Sequence, residues 1–229
     1  MMLQLIDKKN KFIIYIFLLL FLSTLNNKTI NSLNFLNLNI KNILITGLDE
    51  KNNLLIKKKI NIKNLNNIFF IEKDYLNNIL NKNNLIDSFQ IKKIYPNSIE
   101  IKIIKAELLA ITHNDNKLIF IGSNEKFIDH TLNNKSLPYI FGDVSPKNFI
   151  NFKETVDKSN LKFSDIKEFY FFSSGRWDIK NKDGILFKLP KNDLIKTLNL
   201  INKIKKNVNF KDSDVIDLRI SNRIILKNE

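Results

Sequence analysis

Three aspartates, Asp178, Asp183 and Asp217, are the residues whose type and spacing could do chemistry in this chain. Two carboxylates held a few ångströms apart can cleave a glycosidic bond, one as acid and the other as base or nucleophile. Local sequence gives each a simpler role. Asp183 precedes Gly184, and Asp-Gly between apolar stretches is a hairpin turn. Asp217 lies on the outward face of an alternating stretch beside Arg219, so a salt bridge or hydrogen bond accounts for Asp178, Asp217 and Arg219.

Other chemistries find less. His113 and His130 are the only histidines and form no HExxH or His-x-His pair, so they read as surface loop residues and not as metal ligands. Ser173-Ser174-Gly175 lacks the flanking glycine of a nucleophile elbow and reads as a turn. Five glycines in the chain build no phosphate-binding loop, and the absence of cysteine removes disulfides, thiolate sites and a thiol nucleophile. We therefore expect no catalytic, cofactor-binding or metal residues, no enzyme activity and no small-molecule substrate. Function must then lie in recognition.

The elements that would position those aspartates are legible near the C-terminus. Arg176-Trp177-Asp178 opens a strand that turns at Asn181–Gly184 and returns as Ile185–Leu189. Leu194, Leu198, Ile201 and Ile204 recur at helical spacing. Val215–Ile220 alternates, with Ile216, Leu218 and Ile220 on one face. Arg223–Lys227 is expected as a final strand at a sheet edge, and Trp177 as a core anchor between sheet and helix.

Upstream, strands are expected at Leu109–Thr112, Lys117–Ile121, Lys126–Ile128 and Glu168–Phe172, with a helix within Asn148–Ser159. Before them, Ile40–Thr46 reads as a strand, with a turn at Gly47 and a helix capped by Asp49. Ile68–Ile71 leads into a helix with the stripe Tyr75, Leu76, Ile79, Leu80. Ile86–Ile94 and Ile99–Ile103 form a strand pair turned at Tyr95–Ser98. That order, βααββ, makes a small α+β domain at 38–107, followed by a strand-rich domain with a packed helix at 108–229.

A net charge of +14 invites a nucleic-acid reading, but the excess is spread as +3, +5 and +6 over residues 1–40, 41–109 and 110–229. Only three of 37 basic residues are Arg, the side chain that reads bases by bidentate bonds. Nucleic acid is therefore not an expected partner. Lys57-Lys58-Lys59 reads as a solvated helix face. Phe12–Leu25 is uncharged and apolar, about 21 Å long as a helix, against roughly 30 Å of bilayer hydrocarbon. Lys8, Lys9 and Lys11 precede it, and no small-x-small cleavage site follows. We expect a cytoplasmic stretch at 1–11, an uncleaved signal anchor at 12–28 and everything beyond it outside the inner membrane.

Several motifs coincide with one family. They are Ile45-x-Gly47, Ile68-Phe69-Phe70-Ile71, Ile91-x-Lys93-x-Tyr95-Pro96-x-Ser98-Ile99-x-Ile101, Leu137-Pro138-x-Ile140-x-Gly142, Arg176-Trp177-Asp178, Asp183-Gly184 and Ile216-Asp217-Leu218-Arg219. Together they resemble the bacterial FtsQ/DivIB cell-division family, in its α-proteobacterial form. Two family features are altered: the Glu-Arg-x-Pro-x-Ala segment leaving the first domain is Lys105–Ala110, keeping only the Ala, and the Asp-x-x-Gly turn is Gly122-Ser123-Asn124-Glu125. The resemblance implies a POTRA (polypeptide-transport-associated) domain at 38–107 and a non-catalytic, single-pass scaffold of the division septum. It also implies a partner strand, Ser221, Asn222, Arg223, Ile224, Ile225, Leu226 and Lys227 with Arg219 beside it, that takes up the FtsB–FtsL membrane-protein pair. A POTRA-bearing export adaptor and a membrane-tethered cell-wall hydrolase are the competing readings.

Overall fold

The computed structural model describes residues 8–24, 38–65, 67–114, 117–129, 137–204, 214–221 and 223–227. Helix α1 spans Lys8–Thr24. Its side chains from Phe12 to Leu22 are exposed around the whole circumference, the mark of a helix without a protein core to face. At 17 residues it is about 26 Å long, and among the described residues no helix is long and apolar enough to cross a membrane. Residues 25–28, the end of the expected anchor, lie outside the described residues.

The first module is built on a three-stranded sheet in the order β1-β3-β2, where β1 is Asn42–Thr46, β2 Ile86–Ile94 and β3 Ser98–Lys105. β1 runs parallel to β3 and β2 antiparallel to it. A parallel pair needs a crossover, supplied by α2 (Glu50–Lys59), a short 3-10 turn at Ile62–Leu65 and α3 (Lys73–Asn81). Asp49 caps α2 through its carboxylate, which accepts from the Asn52 amide at 3.2 Å. Gly47 sits at φ +112° with the Ile103 carbonyl 1.8 Å from where a β-carbon would stand, so only glycine fits. Ile43, Ile45, Ile99, Ile101 and Ile103 on one sheet face pack against Ile56, Leu76 and Leu80 of the helices. Lys57, Lys58 and Lys59 are exposed in the last turn of α2, as a solvated face requires.

The second module is one nine-stranded sheet, in the order β12-β11-β10-β9-β8-β7-β4-β5-β6. Its strands are β4 (Leu108–Asn114), β5 (Lys117–Gly122), β6 (Phe127–Ile128), β7 (Tyr139–Phe141), β8 (Ile166–Phe171), β9 (Trp177–Asn181), β10 (Leu186–Lys188), β11 (Val215–Asp217) and β12 (Ile225–Lys227). Three neighbouring pairs, β4–β7, β7–β8 and β10–β11, are parallel, and the last two join strands consecutive in sequence. Each of those two is bridged by a helix, α4 (Pro146–Asp157) and α5 (Leu194–Ile204) respectively. Both helices lie on one face and share a core: Phe149, Phe152 and Val156 from α4, Leu198, Ile201 and Ile204 from α5, over Phe169, Ile179, Phe187 and Ile216. Trp177 stacks on Phe152 with centroids 4.6 Å apart and is 5% exposed. It is the expected core anchor, and its burial removes it from partner contact.

The altered turn of the second module is the joint between the two. Asn124 Nδ2 donates to the Asn84 and Ile86 carbonyls at 2.9 and 2.8 Å, and Ser123 Oγ donates to Asp87 at 3.0 Å. Lys126 Nζ reaches the Asn81 carbonyl and Asn84 Nδ2 the Phe127 carbonyl. Ala106, Phe120 and Ile128 fill the space behind them. Glu125 takes φ +57°, a left-handed conformation that glycine would adopt without cost.

Candidate partner-binding edge

The sheet's order puts β12 at one extreme, with β11 on its single strand-paired side. The register is antiparallel: Val215 opposite Lys227, Ile216 opposite Leu226, Asp217 opposite Ile225. Unlike the strands inside the sheet, β12 is exposed along its length, with Ile224, Ile225 and Leu226 each about two-fifths accessible. A three-residue strand that leaves Ile225 and Leu226 in water is an unusual way to end a sheet, because edges are normally blunted. Arg223 N donates to the Ile220 carbonyl at 3.2 Å, closing the turn that leads into β12. Ser221 lies exposed in that turn. Asn222 falls outside the described residues.

The alternation expected over Val215–Ile220 stops early. β11 ends at Asp217, and Ile220 is exposed where the pattern places it inside. Asp217 is buried and not on an open face, because Arg219 folds back over it. The guanidinium donates from Nε to both carboxylate oxygens, at 2.9 and 3.0 Å, and from Nη2 to Oδ2 at 2.5 Å, and the Arg219 amide adds a fourth bond at 3.0 Å. These bonds from Arg219 hold the Asp217 carboxyl below the usual aspartate range and raise the Arg219 guanidinium. Since Leu218 N continues to donate to Lys188 O, the break is in side-chain direction, not in attachment to the sheet.

Asp178 is buried one strand further in. It accepts from the Leu189 amide at 3.1 Å and from Arg176 at 3.3 and 3.4 Å. Burial outweighs these bonds and pushes its pKa up. Arg176 also sits over the Phe172 ring, 4.1 Å from its centroid. Asp183 accepts from Asn181 Nδ2 in the β9–β10 turn, where Gly184 has φ +92°. All three aspartates are thus occupied in holding strands and turns. The Ser173–Gly175 stretch is a turn, closed by Gly175 N to the Phe172 carbonyl at 2.8 Å. Among the described residues no cluster of three potential metal ligands exists.

His113 departs from the loop expected for it. It is exposed on β4, bonded to Tyr139 Oη, and begins a row of rings that continues through Tyr139, Phe141 and Tyr170. The Tyr170 hydroxyl donates to Glu168 at 2.6 Å, and burial with that carboxylate pushes its pKa up to about 12. His130 lies outside the described residues.

A feature that sequence reasoning missed flanks the edge. A groove of about 1350 Å³ runs between α5 and the turn that precedes β12, with Ile195, Leu200, Ile220 and Ile224 on its walls and Lys203 and Arg223 among its cations. Ile195 and Leu200 fall off the buried Leu194–Leu198–Ile201–Ile204 stripe, and their apolar character at exposed helix positions was the available signal.

Comparison with known proteins adds to this geometry. The "POTRA domain, FtsQ-type" family matches residues 38–105, and "Cell division protein FtsQ/DivIB, C-terminal" matches residues 110–219. The chain is similar to the cell division protein FtsQ of Rickettsia bellii, 27% identical over 186 residues, covering 78% of this chain and 69% of that one. Similarity to FtsQ of Rickettsia conorii is 26% over 196 residues, covering 82% and 72%. For FtsQ of Rhizobium meliloti it is 19% over 188 residues, covering 80% of this chain but only 61% of the relative.

Proposed function

The chain belongs to the FtsQ/DivIB family of cell-division proteins, and from that premise we propose that it is a non-catalytic scaffold of the division machinery. In this reading α1 anchors it in the inner membrane, with residues 1–11 cytoplasmic and the modules 38–107 and 108–229 periplasmic at the septum. Its partners are other membrane proteins of the division complex, with the FtsB–FtsL pair foremost. The β domain holds them, joining early assembly to later steps.

The observation that carries the reading is the exposed end of the nine-stranded sheet at β12. An edge strand offers backbone N–H and C=O groups to an incoming strand, while side chains on alternating faces fix its register. Ile224, Ile225 and Leu226 supply apolar contact, and the neighbouring groove offers room for a flanking helix or loop. Arg223 and Arg219 favour an acidic partner segment. Pairing with Asp217 holds the folded-back Arg219 guanidinium beside the edge, a positioning role. The scaffold reading is also supported by the three aspartates Asp178, Asp183 and Asp217, each of which is bonded into the fold.

The test is binding of the periplasmic parts of the host's FtsB and FtsL to the membrane-reconstituted chain and to a version ending at Asn222. We expect the truncated chain to keep its fold and lose the complex. Undiminished binding after truncation moves the interface elsewhere on the β domain. No binding by the full chain, with capture of unfolded polypeptide in its place, favours the export-adaptor reading; hydrolysis of cell-wall glycan abolished by Asp178→Ala favours the hydrolase.

A further inference from the structure

The POTRA module has two ends, and they differ. One carries the chain toward the β domain: Leu85, Ala106 and the 122–126 turn meet there. At the other end the chain arrives from α1. There Leu38 O accepts from Ile68 N, Asn39 bridges Asn67, and Lys41 N and Asn42 N both donate to Asn97 O. The arriving chain, the 67–70 turn and the β2–β3 turn are thus bonded together at one end.

Four large apolar side chains stand exposed on that end. Phe70 is 79% accessible, Tyr95 57%, Phe69 52% and Ile94 41%. They are not loose. Phe69 N donates to Asn67 Oδ1 and Phe70 N to Asn67 O, at 2.9 and 3.0 Å, so the turn is fixed. The Phe69 and Tyr95 rings lie 5.5 Å apart, and Lys93 Nζ ties β2 to the Phe69 carbonyl at 3.0 Å. Lys41 and Lys92 are exposed at the same end; Glu72 and Asp74 lie just beyond, at the start of α3. Thirteen residues separate α1 from Leu38, a leash of at most about 45 Å when fully extended.

Aromatic side chains with cations around them, fixed at the end where the chain enters the module after α1, match the chemistry of the membrane–water boundary. There, amphipathic rings settle at headgroup level and lysines meet anionic headgroups. We propose that Phe69, Phe70, Tyr95 and Ile94 form a membrane-contact patch that seats the POTRA module on the outer leaflet of the bilayer that holds α1. The proposal rests on the anchor reading above. Seating one end of the module, with the bonded joint at the other, gives the β domain and its β12 edge a fixed stand-off from the membrane.

Because the chain has no cysteine, single spin labels test this in the full-length protein in vesicles of phosphatidylethanolamine and phosphatidylglycerol. Labels go at Ile16→Cys in α1, at Lys41→Cys beside the patch and at Lys158→Cys on α4 as a reference. Oxygen and a water-soluble nickel chelate report depth. We expect lipid-like exposure at Ile16, a Lys41 label shielded from nickel relative to Lys158, and loss of that shielding when Phe69→Ser and Phe70→Ser are added. With Ile16 in lipid, a Lys41 label as open to nickel as Lys158 overturns the proposal. So does shielding that persists in the serine variant, or that comes with concentration-dependent spin–spin broadening, which would make a second copy the occupant. A water-exposed Ile16 label overturns the anchor reading and this proposal with it.

Discussion

The nine-stranded sheet finishes differently at its two ends. At the β6 end the last strand is two residues long, and its neighbourhood is bonded to the POTRA module: Asn84 to the Phe127 carbonyl, Asn124 to Asn84 and Ile86, Lys126 to Asn81. At the β12 end three residues are open along their length beside a groove. A sheet edge is a hazard unless something covers it. The module's own neighbour covers one end; in the proposed reading an intermolecular partner does the same work at the other. On that reading the joint and the proposed binding edge are two solutions to one physical problem.

The largest effect separates what the ends share from what divides them. Trp177→Ala removes the ring stacked on Phe152 in the core common to the whole sheet. It is expected to cost about 3–5 kcal/mol, with both ends melting together in a denaturant titration followed by circular dichroism. Separate transitions for the two ends would break the picture of one sheet.

Deleting 223–229 comes next. Loss of a strand contact of this kind is expected to weaken partner binding by roughly 2–4 kcal/mol, about 30- to 1000-fold, read by calorimetric titration. At the opposite end, Asn124→Ala should leave that affinity unchanged. It removes two bonds across the joint, worth about 1–2 kcal/mol together, and should broaden the distance distribution between labels on the two modules. An unbroadened distribution would mean that the turn does not hold the joint.

The smallest effect is at the base of β12. Asp217→Asn weakens the Arg219 pair and is expected to cost about 1 kcal/mol at neutral pH. The Asp217 pKa is lowered in the folded state, so its contribution is complete above the ordinary aspartate range and is lost as pH falls through the lowered value. Wild type and variant should therefore converge in strong acid. Asp178 has the opposite sign: its pKa is raised by burial, so stability from its neutral form declines as pH rises through that value.

The sequence made the α+β character, the βααββ order and most strands legible, because apolar periodicity and turn residues such as Asp183-Gly184 act locally. Gly47 is an example: one residue marks a turn that only glycine can make. What local patterns could not reach was the joint. Gly122–Glu125 stood out only as a departure from the family's turn, yet its bonds reach back about 40 residues. Alternation also misplaced Asp217 and Ile220, since Arg219 folding back onto Asp217 ends the period of two. His113 reads as a loop residue in the sequence because nothing nearby reveals its ring neighbour Tyr139, 26 positions away. At the edge itself, the apolar run to Lys227 was readable, whereas the groove required seeing α5 beside it.

The central claim is that β12, and not β6, receives the partner strand. Amide hydrogen exchange on the full chain, with and without the FtsB–FtsL periplasmic segments, compares the two ends in one experiment. The account predicts slowed exchange at 223–227 with no change at 127–128. Protection that leaves 223–227 unaltered while the complex is formed would contradict it.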